Sequence, residues 1–265
     1  MPREDIEVQT MSEQELSWQE LCQLMTNPDP QVRDGWALEA LADGILSGRW
    51  DADLEGIRDT ALANLKHPQI QARTFAPLIL CWVIEAGMRD RVIFEGVRDW
   101  YRSESDLRGY DPKLGWLHAI SHGADCLSLC GKYQIATAEE VLAELADRVV
   151  SCCTAWVQQE DARIVHALLQ VLEANPDANL DDWFTPLNEA VKRQEKAMDQ
   201  PDYNFGIDGP WLTNLRAVLM LSTVCAEGGA IAGGQFIMPA CASELKERSL
   251  ALIGKTLSWF IPTNR

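Results

Sequence analysis

The sequence predicts an all-α fold: an α-α superhelix of antiparallel, HEAT-like helix pairs with roughly eleven helices. Three observations predict it. Apolar residues recur with a helical period of about 3.6 along nearly the whole chain. No window sustains period-2 alternation, and no Asn-Gly or Asp-Gly turn joins β-branched runs; Asp208-Gly209 runs into Pro210 and reads as a helix entry. A Pro-to-Arg element, Pro30-Gln31-Val32-Arg33, recurs one helix pair later as Pro68-Gln69-Ile70-Gln71-Ala72-Arg73, with a residue or two more before its Arg. That spacing suits a helical repeat of ~40 residues.

Each element has its own signal. Ser12-Glu13-Gln14-Glu15 has capping-box spacing and predicts a helix that runs to Met25. Asn27-Pro28-Asp29-Pro30 ends it, because proline lacks an N–H and restricts the residue before it. The next helix covers 31–47, with Val32, Trp36, Leu41 and Ile45 on one side. Helices follow over 54–65, 70–85 and 91–102, the second of them opened by His67-Pro68. A polar stretch with Gly and Pro, 103–115, reads as a loop. Helical spacing resumes over 116–130, and Thr137-Ala138-Glu139-Glu140 is a second capping box opening a helix to 153. The remaining helices fall at 161–174, 180–196, 210–225 and 240–260.

Composition bounds the function. The chain has 265 residues, 40 acidic and 23 basic side chains, and a formal net charge of -17. Its 47% hydrophobic content supports a buried core, read here as one helical domain over 1–265. The charge argues against nucleic acid and against an anionic membrane surface as partners, since both require a basic face. The N-terminus MPREDIEVQT lacks the apolar stretch of a secretory signal. The longest apolar run, 75–84, falls short of the ~18 residues that a membrane span needs. The eight cysteines form no C-x-x-C pair, so they read as small buried hydrophobes in a reducing, cytoplasmic compartment.

The stretch 106–127, DLRGYDPKLGWLHAISHGADCL, concentrates the polar chemistry. On a helix at about 100° per residue, His118, His122 and Asp125 fall within about 60° of one another, while Trp116, Ile120, Ala124 and Leu127 take the opposite face. The loop before them offers Asp106, Arg108 and Asp111, and Gly109 lets it fold back. Three readings compete. In the first, His118, His122 and Asp125 hold Zn²⁺ or another divalent metal, since His at i and i+4 can chelate one ion. Ala119 stands where a metallopeptidase places its general base, and Asp125 lies about 10 Å along the axis from His118, so a ligand from another helix would suit better. In the second, the same three residues form an acid-base set without metal: Asp125 orients His122, His118 is the partner, and Arg108 clamps an anionic group. In the third, the polar residues tie the loop to the helix through mutual hydrogen bonds.

This block resembles a bacterial family known as domain of unknown function 2785, whose pattern is roughly D-x-R-G-[YF]…G-W-x-H-A-x-[AS]-H-x-A-D. Leu117 stands where the family often has Ala. Shorter elements are also similar: Asp29-Pro30 to Arg33-Asp34, Arg73-Thr74-Phe75, Glu160-Asp161-Ala162-Arg163 and Asn214-Leu215-Arg216. The resemblance covers residues 16–225 and leaves 226–265 as a C-terminal extension with Gly228-Gly229 and Gly233-Gly234. It implies a helical superhelix and supplies no activity. It also singles out Arg33, Asp34, Arg73, Asp106, Arg108, Glu160, Arg163, Asn214 and Arg216 beside the histidines and Asp125. On the inner helices of a superhelix such residues line one concave groove. Together with Trp116 they are the expected binding residues.

The expectation is a cytoplasmic binding protein whose groove takes a small molecule, an anion being favoured by the arginines, or a peptide of a partner protein. The competing class is an enzyme, metal-assisted hydrolysis included, that uses His118, His122 and Asp125. A third is an acidic inhibitor or immunity protein that covers a basic partner. The glycine pairs lack the Gly-Lys-Ser/Thr of a P-loop. Residues 199–210, with Tyr203 and Phe205, suit a lid or a plain connection. The tryptophans read as core fillers between helix layers.

Overall fold

Helices begin where a short polar side chain can accept the free N–H groups of a first turn, and the sequence supplies such caps repeatedly. The computed structural model describes residues 16–200, 202, 209–228 and 239–257. In chain order these form α1 (Trp18–Leu24), α2 (Pro30–Val32), α3 (Leu38–Leu46), α4 (Leu54–Asn64), α5 (Ile70–Glu85), α6 (Arg91–Ser103), β1 (Tyr110–Asp111), β2 (Gly115–Trp116), α7 (Ala119–Lys132), α8 (Ala138–Ser151), α9 (Glu160–Ala174), α10 (Asp181–Met198), α11 (Pro210–Ala226) and α12 (Ala242–Thr256). Ser17 and Glu20 form a capping box at α1, Thr137 and Glu140 form one at α8, and Asp90 caps α6. The Ser12 box, Tyr203, Phe205, Gly229, Gly233, Gly234 and Trp259 lie outside the described residues.

The fold is all-α; among the described residues β1 and β2 are the only strands. α2 and α3 form one helix through a π turn at Arg33–Ala37, where the Leu38 N–H reaches the Arg33 carbonyl. The helices pack in two rows. In one row α5, α7, α9 and α11 each contact the next; in the other α4, α6, α8, α10 and α12 do so. Consecutive helices, such as α4 with α5 and α7 with α8, join the rows. One hydrophobic core runs between them from Leu21 to Ile253. Gly123 allows a close approach within this core, since a Cβ there would lie 2.3 Å from the Tyr101 ring. Across that gap the Tyr101 hydroxyl donates to the Ile120 carbonyl at 3.1 Å.

The Pro-to-Arg echo has a physical meaning. Arg33 Nη1 donates to the Asn27 carbonyl, 3.0 Å, just beyond α1. Arg73 Nη1 donates to the His67 carbonyl, 2.9 Å, just beyond α4. Each contact spans six residues, so the two elements align on their arginines without an insertion. Arg148 does the same for the Tyr101 and Glu104 carbonyls at the end of α6, and Arg216 for the Thr256 carbonyl at the end of α12. A cation on the last carbonyls satisfies orphan acceptors and offsets the negative end of the helix dipole.

The structure corrects the helix expected from residue 116. Trp116 belongs to β2, which pairs antiparallel with β1 and sets Tyr110 opposite Trp116. Asp111 closes the turn by accepting the N–H groups of Lys113 and Leu114, at 2.8 and 3.0 Å. The Gly109 carbonyl accepts from both Leu117 and His118. α7 therefore starts only at Ala119, and His118 precedes it in the left-handed region at φ 49°. Helical angles do not govern Trp116 and His118, and the two rings end up against each other rather than on opposite faces.

Candidate functional site

The hairpin and its flanks, residues 104–118, are fastened from several helices. Arg33 is fully buried; it forks Asp34, donates Nη2 to the Leu114 carbonyl and lies 4.7 Å from the Phe75 ring centre. Arg73 forks Glu104 at 2.7 and 3.1 Å. Glu104 also accepts from Trp100 Nε1 and from the Asp106 N–H, at 3.0 and 2.9 Å. Burial pushes the Glu104 carboxyl up, but Arg73 and these donors outweigh it and hold it below the usual range. Arg108 forks Asp106 at 2.8 and 2.6 Å and also bonds Asp111. Two carboxylates thus surround Arg108, which is not the free anion clamp expected from the sequence.

A column of rings runs from solvent into the core. Tyr110 and Trp116, each 48% exposed, meet edge to face at 5.0 Å. His118 stacks on Trp116 at 4.6 Å with planes 5° apart. The His122 ring centre lies 5.8 Å from that of His118, and Phe75 meets His122 edge-on at 5.5 Å. Arg33 closes the column behind Phe75.

The two imidazoles are held differently. His122 is buried, and its Nδ1 lies 2.8 Å from the Thr74 carbonyl. A carbonyl only accepts, so Nδ1 carries the proton and Nε2 the lone pair. Burial lowers the His122 pKa to about 3; the Thr74 bond opposes this, and the charges of His118 and Arg163 reinforce it. His118 Nδ1 is buried, makes no hydrogen bond and faces Glu160 Oε1 at 3.7 Å. Glu160 is only 2% exposed, and its Oε2 accepts the Gln158 N–H at 2.8 Å. Burial raises the Glu160 carboxyl, yet His118 and the N–H groups of Gln158 and Glu160 outweigh it and keep it below the usual range. Gly109 is required here, because a Cβ would lie 2.3 Å from Glu160 Oε1.

Backbone strain gathers at the same place. Gln159, the residue before α9, sits at φ 66°, and His118, the residue before α7, at φ 49°. Non-glycine residues in this region cost of order 1–3 kcal/mol and cluster at binding and catalytic sites.

The expected Asp125–His122 dyad does not form. Asp125 is forked by Arg163, with Nε to Oδ1 at 3.1 Å. α9 stacks on α7, so Arg163 meets Asp125 while Glu160, one turn earlier on α9, meets His118. The imidazole-carboxylate pair is therefore His118–Glu160. Among the described residues, no group of three or more His, Cys, Asp or Glu side chains is placed to hold a metal ion. Asn214 is buried, its amide bridging the Trp156 N–H (2.9 Å) and the Thr154 carbonyl (3.0 Å). Sequence reasoning missed Tyr110 and Thr74 as members of the site. Tyr110 lies inside the 106–127 block, whereas Thr74 acts through its backbone carbonyl, which no side-chain pattern marks. Among the described residues, no helix is long and apolar enough to cross a membrane.

The family described as Protein of unknown function (DUF2785) matches residues 61–208, more than half of the chain. That span holds Arg73, the hairpin, both histidines, Glu160 and Arg163; Arg33 and Asn214 fall outside it. No curated protein and no solved structure matches the chain. The chain belongs to the DUF2785 family of proteins of unknown function.

Proposed function

We propose that the protein is a cytoplasmic, HEAT-like helical-repeat binding protein that takes a small, ring-bearing, neutral or cationic molecule on the Tyr110–Trp116 face beside His118. One observation carries the reading: two half-exposed rings, Tyr110 and Trp116, lie over His118, a residue in strained left-handed backbone whose Nδ1 faces the buried Glu160. Backbone strain gathers at binding sites, and aromatic faces left open above it support a ligand role rather than a packing one. Charge favours a neutral or cationic molecule over the small anion expected from the sequence. Arg33, Arg73, Arg108, Arg163 and Arg216 already bond carboxylates or carbonyls, and Glu160 contributes a buried negative charge. All eight cysteines are free thiols, which supports a reducing compartment.

Titration with ring-bearing amines and their carboxylate counterparts, followed by thermal shift, tests this. The amines bind, and Trp116→Ala weakens them by about tenfold while changing stability by no more than about 1 kcal/mol, since the indole is half exposed. Preferential binding of the carboxylates, or binding indifferent to Trp116→Ala, contradicts the proposal.

A second reading, acid-base catalysis, is favoured by the His118–Glu160 pair. An ionised carboxylate facing Nδ1 fixes the imidazole tautomer and the orientation of the ring. Under this reading Glu160→Gln removes turnover while binding on the aromatic face persists.

A further inference from the structure

The two imidazoles share a geometry that the binding reading does not use. His122 anchors Nδ1–H on the Thr74 carbonyl, and His118 turns Nδ1 inward to Glu160. Both rings therefore carry Nε2 on the side away from their anchors, and no hydrogen bond of the described residues engages either Nε2. Metal-binding imidazoles are built this way: one ring nitrogen donates to a carbonyl or carboxylate, and the other presents its lone pair.

We infer that Nε2 of His118 and Nε2 of His122 together hold a divalent transition-metal ion, whose remaining positions are filled by water or by the molecule bound at the same site. The inference rests on the site proposed above and names a further occupant of it. Two imidazoles on one tetrahedral ion, with Zn–N bonds of about 2.0–2.1 Å, have ring centres about 5 Å apart. Those of His118 and His122 are 5.8 Å apart with their planes at 63°, so closing on one ion takes a shift of both rings. Coordination through Nε2 keeps the proton on His118 Nδ1, which then donates to Glu160. The Glu160 carboxylate offsets part of the ion's charge from the outer shell. Asp125, engaged by Arg163, takes no part. Imidazole donors suit Zn²⁺, Cu²⁺ and Ni²⁺, and two protein ligands leave open positions on the ion.

Calorimetric titration of the whole chain with Zn²⁺ is the test, in a Cys153→Ser background that removes the exposed thiol. The expected result is one ion per chain. His118→Ala or His122→Ala weakens binding more than tenfold, Glu160→Gln weakens it 10–100-fold, and His67→Ala leaves it unchanged. Because His122→Ala removes a buried ring, a second measurement uses the unmutated histidines. Sub-stoichiometric Cu²⁺ broadens the ring signals of His118 and His122, and not those of His67 and His166. The absence of binding, binding that survives loss of both His118 and His122, or broadening confined to His67 or His166 overturns the inference. Absent metal binding with Trp116-dependent amine binding intact overturns this inference alone. Intact metal binding without amine binding overturns only the proposed function.

Discussion

Arg33→Ala lowers the unfolding free energy by about 3–5 kcal/mol in urea denaturation. The guanidinium is fully buried, and its loss strips partners from Asp34, the Asn27 carbonyl and the Leu114 carbonyl together. It also leaves a void against Phe75. Buried acceptors without donors cost about 1–3 kcal/mol each, which is why removing one multi-bonded arginine outweighs most surface changes. Arg33→Lys recovers little of the loss, since an ammonium cannot serve a forked carboxylate and two carbonyls in one plane. The same change detaches the hairpin at Leu114, so trypsin cleaves faster after Lys113. A loss below about 1 kcal/mol, with unchanged cleavage, would contradict the assignment of Arg33 as the anchor of the hairpin.

The second large effect is a pH dependence of stability centred on His122. Its pKa is 6.5 in the unfolded chain and about 3 in the fold, chiefly because burial disfavours the charged ring. Between those values the unfolded His122 binds a proton that the folded one does not. Unfolding therefore takes up a proton, and the stabilisation, fully present above about pH 6.5, is lost as pH falls toward 3. The slope is about 1.4 kcal/mol per pH unit, a total on the order of 4–5 kcal/mol across the window. Carboxylates add their own acid dependence at lower pH, so the comparison that isolates the imidazole is with His122→Gln. The variant shows a flatter profile between pH 6.5 and 4.5. Parallel profiles would mean that the folded His122 titrates like a solvated ring.

The helices were legible because each carries a long apolar period, and α8 also because its capping box stands in the sequence as Thr137 and Glu140. The hairpin was not. Strands of two residues leave no alternation to read, and the apolar spacing of Trp116 with Ile120 imitates a helix that begins later. The left-handed backbone of His118 has no sequence mark, since positive φ is signalled by glycine and this position is a histidine. Choosing Asp125 as the partner of His122 failed for a tertiary reason. The partner of each α7 side chain is set by which turn of α9 stacks over it, and sequence spacing within α7 carries no information on that. The role of the arginines was not legible either, and Arg148 was not singled out at all. Arg33, Arg73, Arg148 and Arg216 serve helix-end carbonyls, and backbone acceptors have no residue-type signature.

The central claim is that an inward-anchored, neutral His122 and a Glu160-facing His118 form one site. The direct measurement is the long-range ¹H–¹⁵N spectrum of the histidine rings, made simple by a chain with only four of them. The account predicts that His122 stays neutral with its proton on Nδ1 down to at least about pH 4.5. It also predicts that Glu160→Gln moves the His118 ring nitrogens and leaves those of His122 in place. A His122 ring that protonates near pH 6.5 or carries its proton on Nε2 would contradict it. So would a His118 ring indifferent to Glu160→Gln.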